Sequence, residues 1–270
     1  MSEAPIGVFD SGLGGLTVLR ALIDLLPDES TVYFGDTGRF PYGPKPREEV
    51  QEYALQIADV LLAREVKVLV VACNSATAAA LDLLQDKLDI PVIGVIEPGV
   101  RAALAATEHG RIGVIGTVGT ISSGSYQEAA PRFSSEREIE IVLTAAACPG
   151  FVEFVEAGDV DSDQVHVLAE RLLAPLLAAN VDTLILGCTH YPLLARTIGD
   201  VMGRDVVLVS SADETAFAVR DLLTQKGMCA VAPSGKQHLF LTSGPVDTFR
   251  TLGARFLGPE VETIEAWQWS

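Results

Sequence analysis

Two cysteines in this chain stand where a thiol could act as an acid or a base. In "VVACNSATA", Cys73 directly follows a hydrophobic run and precedes an alanine-rich helical pattern. In "LILGCTHYPLL", Cys188 occupies the same setting, with polar residues directly after it. Free N–H groups and the helix dipole favour anions at a helix N-terminus, so we expect this setting to lower the pKa of each thiol.

The match between the two settings decides how the thiols are interpreted. One buried free cysteine is more often a small core residue than a reagent. Two cysteines that each end a strand and have amide or hydroxyl neighbours favour a catalytic role instead. Opposed thiols can remove a proton from one face of a carbon and return one to the other face without moving the substrate. The pair therefore predicts a racemase.

A further polar cluster follows the first hydrophobic run. In "VFDSGLGGLTV", Asp10 and Ser11 lie at the end of a predicted strand, before a glycine-rich turn and a helix. The carboxyl ends of strands in open α/β sheets form binding sites, and glycines let the backbone approach a ligand closely. The alternative is that both residues only cap the helix, and the motif alone leaves both possibilities open.

Short hydrophobic runs alternate with helical patterns along the chain, which predicts parallel α/β architecture. The predicted strands cover 6–10, 31–36, 66–72, 90–96, 111–116, 181–187 and 238–242, and the predicted helices cover 15–26, 47–64, 75–88, a segment starting near Pro192, and 246–257. The irregular loop "GRFPYGPKP" lies between a strand and a helix, where such folds place binding loops.

The pattern repeats, which predicts two similar open parallel-sheet lobes that face each other, with the active site at their interface. "RIGVIG" resembles "IGVFD", and "VDTLILG" resembles "VKVLVVA", each of the latter pair running into a cysteine. The chain is expected to cross into the second lobe at 94–100 and to return at 207–215. The first lobe would then comprise residues 1–97 and 210–270, and the second lobe residues 98–209.

The composition excludes several classes of protein. The formal net charge is −17, so there is no basic surplus to neutralise a nucleic acid. We see no transmembrane run and no signal peptide, and we expect a cytoplasmic protein without a membrane partner. An anionic substrate would meet an unfavourable overall field, so its site would have to be locally positive.

The remaining cysteines and glycines do not indicate a metal or a cofactor. The four cysteines form no CxxC pair, so their spacing predicts neither a zinc site nor a disulfide framework. Cys148 and Cys229 lack polar neighbours of the kind described above and are interpreted as structural. "DSGLGG" and "GVIGTVGT" lack the spacing of a dinucleotide-binding motif, and we expect no cofactor.

Five stretches taken together, "GVFDSGLGGLTV", "YFGDTGRFPYGPK", "VVACNSATA", "RIGVIGT" and "LILGCTHYPLL", carry a family resemblance. In this order they resemble the glutamate racemases of the cofactor-independent aspartate/glutamate racemase superfamily, over nearly the whole chain. The resemblance implies interconversion of L- and D-glutamate, supply of D-glutamate for peptidoglycan, and a homodimer.

The resemblance also implies roles for individual residues. Cys73 would deprotonate D-glutamate and Cys188 would deprotonate L-glutamate, with Asp10 assisting the first thiol and His190 the second. Asp36 and Glu156 would be supporting carboxylates. The substrate would be bound by Asp10, Ser11, Tyr42, Gly43, Asn74, Ser75, Thr189 and His190.

Two departures from the family pattern affect these assignments. Ser75 stands where threonine is common, so the hydroxyl is kept and a methyl group is lost. In "ACPGFVEFVEAGD", Gly150 replaces a residue that is usually larger and Glu153 stands where proline is common, which weakens the assignment of Glu156.

The stretches "DSGLGG", "CNSATA" and "GCTHYP" contain no Lys or Arg, so a dicarboxylate would be held by helix N-termini, backbone amides and hydroxyls. Three alternatives stay open: a racemase for aspartate, hydantoin or another carbon acid; a protein that binds DNA gyrase; and a catalytically inactive binding module. Two intact thiols argue against the last, and little sequence precedes the first motif to support the second.

Overall fold

A computed structural model describes residues 2–134, 139–230 and 237–269 of the chain. Its strands form two sheets in which every pairing is parallel. The first sheet contains β1 (Ile6–Asp10), β2 (Thr31–Gly35), β3 (Val68–Val71), β4 (Val92–Gly94), β9 (His238–Thr242) and β10 (Thr263–Ala266), and the second contains β5 (Arg111–Gly116), β6 (Val142–Ala147), β7 (Thr183–Gly187) and β8 (Val207–Val209).

Helices connect the strands and cover both sheets. They are α1 (Leu16–Leu25), α2 (Arg47–Leu62), α3 (Asn74–Lys87), α4 (Ile96–Ala106), α5 (Val118–Ser122), α6 (Ser125–Ser134), α7 (Phe151–Ala157), α8 (Asp163–Ala178), α9 (Ala195–Met202), α10 (Ala212–Gln225) and α11 (Val246–Leu257). Among the described residues, none of these helices is both long and apolar enough to cross a membrane.

The two sheets repeat one topology, as the sequence predicts. The first sheet has the order β10-β9-β2-β1-β3-β4 and the second has the order β6-β5-β7-β8. The second order repeats the last four strands of the first, β2-β1-β3-β4, with β5 in the place of β1 and β7 in the place of β3. In such sheets the first and third strands flank the point where the winding direction reverses, and ligands bind at their carboxyl ends.

Burial on both faces explains why the strands are apolar throughout. Along β1, Ile6 and Val8 pack into a core formed with α1 and α10, whereas Phe9 packs into a second core on the opposite face, formed with α2 and α3. Successive side chains of a strand point to opposite faces, so a sheet covered on both sides needs an unbroken apolar run. The second sheet likewise has a core on each face.

The strand before the crossover out of the first sheet is shorter than predicted. The strand predicted over 90–96 ends at Gly94, and α4 begins at Ile96. Pro98 lies in the first turn of α4, where a missing N–H costs no intrahelical hydrogen bond. Ile96 packs with residues of the second sheet, so its apolar character reflects helix burial and not strand pairing.

The end of the chain returns to the first sheet. Strand β9 pairs with β2, and β10 pairs with β9, so residues 238–266 extend the sheet on the side away from β3. The backbone of Trp267 continues the ladder by donating to the carbonyl of Thr242 at 2.8 Å. The division at 97/98 and 209/210 stays a prediction.

Candidate active site

The four loops that follow β1, β3, β5 and β7 meet between the two sheets. Thr189, after β7, donates from its hydroxyl to Asp10, after β1, over 3.4 Å. Ser75, after β3, contacts the hydroxyl of Thr117, after β5, at 3.0 Å. The topology therefore brings together residues that lie far apart in the chain, at the edges where parallel sheets form sites.

The backbone of the first lobe approaches the second very closely at one glycine. A Cβ atom added to Gly14 would lie 2.3 Å from Thr189 Oγ1 and 2.5 Å from His190 Nδ1. Real Cβ atoms do not come so near to polar side-chain atoms. The glycine-rich turn after Asp10 is thus needed for the two lobes to touch here.

Cys73 is the N-cap residue of α3. Its side chain accepts a hydrogen bond from the N–H of Ala76 at 3.4 Å, and its Sγ lies 3.6 Å from Ser11 Oγ. Asn74 and Ser75, which are residue types that often cap helices, belong to the helix itself. The thiol, which is 5% exposed, therefore meets the free amides of the helix start directly.

The expected lowering of the pKa of the Cys73 thiol is wrong for this structure. Burial and the negative charge of Asp10 together raise the pKa to about 12, although hydrogen bonds from Ala76 and Ser11 oppose them. Removal of water from a fully enclosed thiol outweighs the helix N-terminus. Without a ligand, Cys73 is therefore a neutral thiol.

Asp10 is fully buried beside this thiol. The N–H of Gly12 donates to its Oδ2 atom at 2.8 Å. Burial raises the pKa of Asp10, although the positive charge of His190 and several hydrogen bonds lower it. The carboxyl group thus holds a proton more readily than an exposed aspartate does.

Cys188 and His190 form the corresponding cluster on the second lobe. Cys188 Sγ lies 4.0 Å from His190 Nδ1, and the Nε2 atom of the same ring lies 2.7 Å from Glu156 Oε1. Burial alone would lower the pKa of His190, but the hydrogen bonds with Cys188 and Glu156 and the nearby negative charges together raise it to about 10. The imidazole is thus a cation at neutral pH.

The local structure after Cys188 differs from the predicted helix start. A single turn of 3-10 helix, Tyr191–Leu194, follows, and α9 begins only at Ala195. The positive charge beside Cys188 therefore comes from the side chain of His190, whereas Cys73 lies at the N-terminus of a long α-helix.

The loop between β2 and α2 contributes Tyr42 and Gly43. The Tyr42 hydroxyl donates to the carboxylate of Asp36, and the Gly43 carbonyl accepts from the N–H of Gly119 at 2.9 Å. A Cβ atom on Gly43 would lie 2.7 Å from the Cβ atom of Thr117, so only glycine fits there. The loop thus bridges to the second lobe through its backbone.

Asn74 and Ser75 point at side chains that the sequence analysis did not identify. Asn74 Nδ2 donates to Tyr126 Oη at 2.9 Å. Ser75 forms a hydroxyl cluster with Thr117 and Thr120: its Oγ atom lies 3.0 and 3.2 Å from theirs, which are 3.0 Å apart. The repeat signal was available for Thr117, because it follows β5 as Ser11 follows the end of β1.

Nearly all the residues that the sequence predicts for the site meet at one place, and Asp36 lies behind it. Cys73 contacts Ser11, Asp10 contacts Thr189, and Cys188 contacts His190. Asn74 and Ser75 directly follow Cys73 and contact residues of the second lobe. Asp36 is buried at the base of the 38–46 loop, where its N–H donates to the Asp10 carbonyl at 3.0 Å and its side chain binds the loop. In the described part of the chain, no group of three or more His, Cys, Asp or Glu side chains has the arrangement of a metal site.

Comparison with known proteins agrees with this geometry. The family model described as Asp/Glu/Hydantoin racemase matches residues 6–219. The chain belongs to this racemase family. A glutamate racemase of Parafrankia sp. is 52% identical over 267 residues, covering 98% of this chain and 94% of the relative.

Solved structures of the family share the fold over the full chain. A glutamate racemase isoform of Bacillus anthracis has a TM-score of 0.92 at 43% identity and covers 100% of this chain and 98% of its own. A glutamate racemase of Francisella tularensis, solved in complex with D-glutamate, has a TM-score of 0.91 at 34% identity, with 99% and 98% covered. The two-lobe architecture is thus that of family members, and the chain is a racemase.

The pair of Glu156 and His190 makes a testable contribution to stability. The folded-state pKa of His190, about 10, lies above its ordinary value of 6.5. The stabilisation is therefore complete below the lower value and is lost as the pH rises through the higher one. In urea unfolding, Glu156→Gln should lower the free energy of unfolding most at about pH 6, and the difference from wild type should shrink towards about pH 10.

The surface pair of His166 and Glu170, 3.8 Å apart and exposed, offers a matched control. Glu170→Gln should change the free energy of unfolding by less than about 0.5 kcal/mol at any of these pH values. A Glu156→Gln effect that stayed constant with pH would contradict a charged His190.

Proposed function

We propose that this protein interconverts L- and D-glutamate by a cofactor-independent, two-base proton transfer at Cα, with Cys73 and Cys188 as the two bases. The observation that carries the proposal is the equivalence of the two thiols. Each follows the third strand of a four-strand unit with the same order, and the two units face each other. Thiols so related can approach one carbon from opposite sides.

The chemistry balances without an external oxidant or reductant. Cys73 first gives its thiol proton to the adjacent Asp10 carboxylate. The resulting thiolate takes the Cα proton of D-glutamate, so a C–H bond breaks and an S–H bond forms. The Cys188 thiol then gives its proton to the opposite face of the carbanion, which yields L-glutamate. Cys188 is left as the thiolate, ready for the reverse reaction, in which it removes the proton from L-glutamate.

Each thiol has a neighbour suited to hold or stabilise its proton. Burial raises the pKa of Asp10 towards that of the Cys73 thiol, so the carboxyl group can share a proton with it. Beside Cys188, the cationic His190 lies with its Nδ1 atom 4.0 Å from the sulfur, where it can stabilise the negative charge left when Cys188 gives up its proton. These two arrangements support the assignment of Asp10 and His190 as assisting groups.

Unsatisfied polar atoms support substrate binding at the same place. Within the described part of the chain, the Asn74 Oδ1 atom is buried without a hydrogen-bond partner. A buried acceptor left unpaired costs about 1–3 kcal/mol, and an ammonium group would satisfy it. The carboxylates would be bound by the hydroxyl cluster of Ser75, by Ser11 and Thr189, and by backbone N–H groups of Tyr42 and Gly43.

The local positive potential that the charge balance requires comes from dipoles and from one imidazolium. The N-termini of α3 and α5 and the cation of His190 surround the proposed substrate position. The same donors would stabilise the negative charge that develops on the α-carboxylate as the Cα proton leaves. An acidic protein can thus bind a dicarboxylate.

The two-thiol mechanism predicts the outcome of a cofactor-free assay in D2O. Wild-type protein should racemise either enantiomer of glutamate, with deuterium entering only at Cα. Cys73→Ala and Cys188→Ala should each lower the racemisation rate by more than about 1000-fold, because neither remaining thiol can reach both faces. Circular dichroism and proton NMR measure the two effects.

Cys148→Ala provides the control, because Cys148 is a buried thiol of the same lobe outside the proposed site. It should keep wild-type turnover. Near-normal racemisation by either site variant would overturn the two-base assignment. Faster turnover of aspartate or hydantoin than of glutamate would reassign the substrate and leave the mechanism standing.

The hydroxyl of Ser75 is predicted to bind substrate. Ser75→Ala removes one hydrogen bond and should raise the KM for glutamate about tenfold, because a single such bond contributes about 1–1.5 kcal/mol. Ser75→Thr keeps the hydroxyl and should recover most of this loss. Equal KM values for the two variants in steady-state assays would exclude Ser75 as a ligand.

We further propose that the D-glutamate is used for peptidoglycan and that the enzyme acts in the cytoplasm as a homodimer, as the family resemblance implies. Deleting the gene should make growth depend on added D-glutamate, with lysis in its absence. A wild-type copy should restore growth, and the Cys73→Ala variant should not. Growth without D-glutamate would show that another route supplies it.

A further inference from the structure

Asp36 is a fully buried carboxylate that four side chains hold in place. Ser243 Oγ and Trp269 Nε1 donate to its Oδ1 atom at 2.6 and 3.1 Å. Arg39 Nε donates to its Oδ2 atom at 2.7 Å, and the Tyr42 hydroxyl donates to the same atom. One carboxylate thus connects the 38–46 loop to two residues from the end of the chain.

Trp269 makes a second contact with the same loop. The Arg39 guanidinium lies between two aromatic rings, 3.7 Å from the centroid of the Trp269 ring and 3.9 Å from that of Tyr53. The Trp269 ring also packs on Phe34, with centroids 5.4 Å apart. The indole therefore fixes both charged partners at the base of the loop, Asp36 by a hydrogen bond and Arg39 by a cation–π contact.

The loop that these partners hold carries Tyr42 and Gly43. Its tip reaches the second lobe, where the Gly43 carbonyl accepts from the N–H of Gly119. Arg39 and Tyr42 both bind Asp36, so the carboxylate ties the start of the loop to the residue before Gly43. Loosening Asp36 or Arg39 would therefore free the backbone amides proposed to meet a substrate carboxylate.

We propose that Trp269 is a positioning residue that holds the substrate-binding loop in its competent conformation through Asp36 and Arg39. The inference rests on the proposed function for the role of the loop, and it adds the C-terminal segment to the determinants of substrate affinity. The apparent affinity for a ligand falls by the fraction of molecules in the competent state, whereas turnover of the bound complex does not change. Loss of Trp269 thus raises KM and leaves kcat largely unchanged.

The neighbouring Trp267 is a matched control within the same segment. Its ring also packs on Phe34, with centroids 6.3 Å apart, and it lies over Arg64. Its Nε1 atom is buried without a hydrogen-bond partner among the described residues. Trp267→Phe therefore makes the same chemical change as Trp269→Phe, next to the same sheet, without removing a hydrogen bond to Asp36.

The test compares these two variants with wild type in steady-state racemisation of D-glutamate. Trp269→Phe should raise KM about tenfold, the loss expected for one hydrogen bond to a charged group, with kcat within about twofold of wild type. Trp267→Phe should keep both values within about twofold. Ser243→Ala, which removes the other donor to Asp36 Oδ1, should reproduce the rise in KM.

Fluorescence provides a second measurement on folded protein, because the chain has only two tryptophans. In Trp267→Phe, all the indole emission comes from Trp269. Adding D-glutamate should change that emission with the concentration dependence of binding. In Trp269→Phe, where only Trp267 emits, the same addition should leave the emission unchanged.

The outcomes separate the two proposals. Wild-type protein that does not racemise glutamate would overturn the proposed function. If the wild type is active, either of two results would overturn the positioning role alone. One is equal KM values for Trp269→Phe and Trp267→Phe, and the other is a fall in the kcat of Trp269→Phe as large as the rise in its KM. Far-ultraviolet circular dichroism shows whether Trp269→Phe folds. If it does not, the fluorescence of Trp267→Phe decides the test: Trp269 emission that does not change at saturating D-glutamate would overturn the positioning role.

Discussion

The interaction on which this site depends is the buried ion pair of His190 and Glu156, 2.7 Å apart. The Cys73 thiol and the carboxyl group of Asp10 are enclosed nearby, and burial raises the pKa of both because each loses stability as an anion when water is removed. The positive charge of His190 offsets part of this cost at Asp10. Hydrogen bonds with Cys188 and Glu156 keep the ring charged, so it supplies a positive charge beside motifs that contain no Lys or Arg.

The repeated topology explains how two such groups come to face each other. Each lobe places a thiol after its third strand and hydroxyl or carboxyl groups after its first. The two copies of the unit therefore place Cys73 and Cys188 at equivalent positions, each after the third strand of its sheet. The lobes differ in how each thiol is stabilised: Cys73 caps a helix, whereas Cys188 has His190 beside it.

Much of this arrangement could be predicted from the residues. Parallel strands buried on both faces require unbroken apolar runs, so the strand "IGVFD" was predicted with its observed bounds, and the repeat indicated two lobes. The end of the strand predicted over 90–96 was wrong, because an apolar run has the same pattern in a strand and in a buried helix start. The strand ends at Gly94, and α4 begins at Ile96. Thr117 was missed although it follows β5 as Ser11 follows β1, and Thr120 was missed because a lone hydroxyl inside a short helix carries no pattern.

The sequence by itself determined the fold class, the equivalent strand-end positions of the two thiols and most of the polar residues near them, because strand periodicity and strand-to-helix turns are local properties. Only the tertiary structure decided the ionisation of the site and its long-range partners. The pKa of Cys73 rises where the helix start alone would lower it, because burial depends on everything packed around the thiol. Trp269 reaches Asp36 across 233 positions of the chain, a distance that only sheet pairing closes.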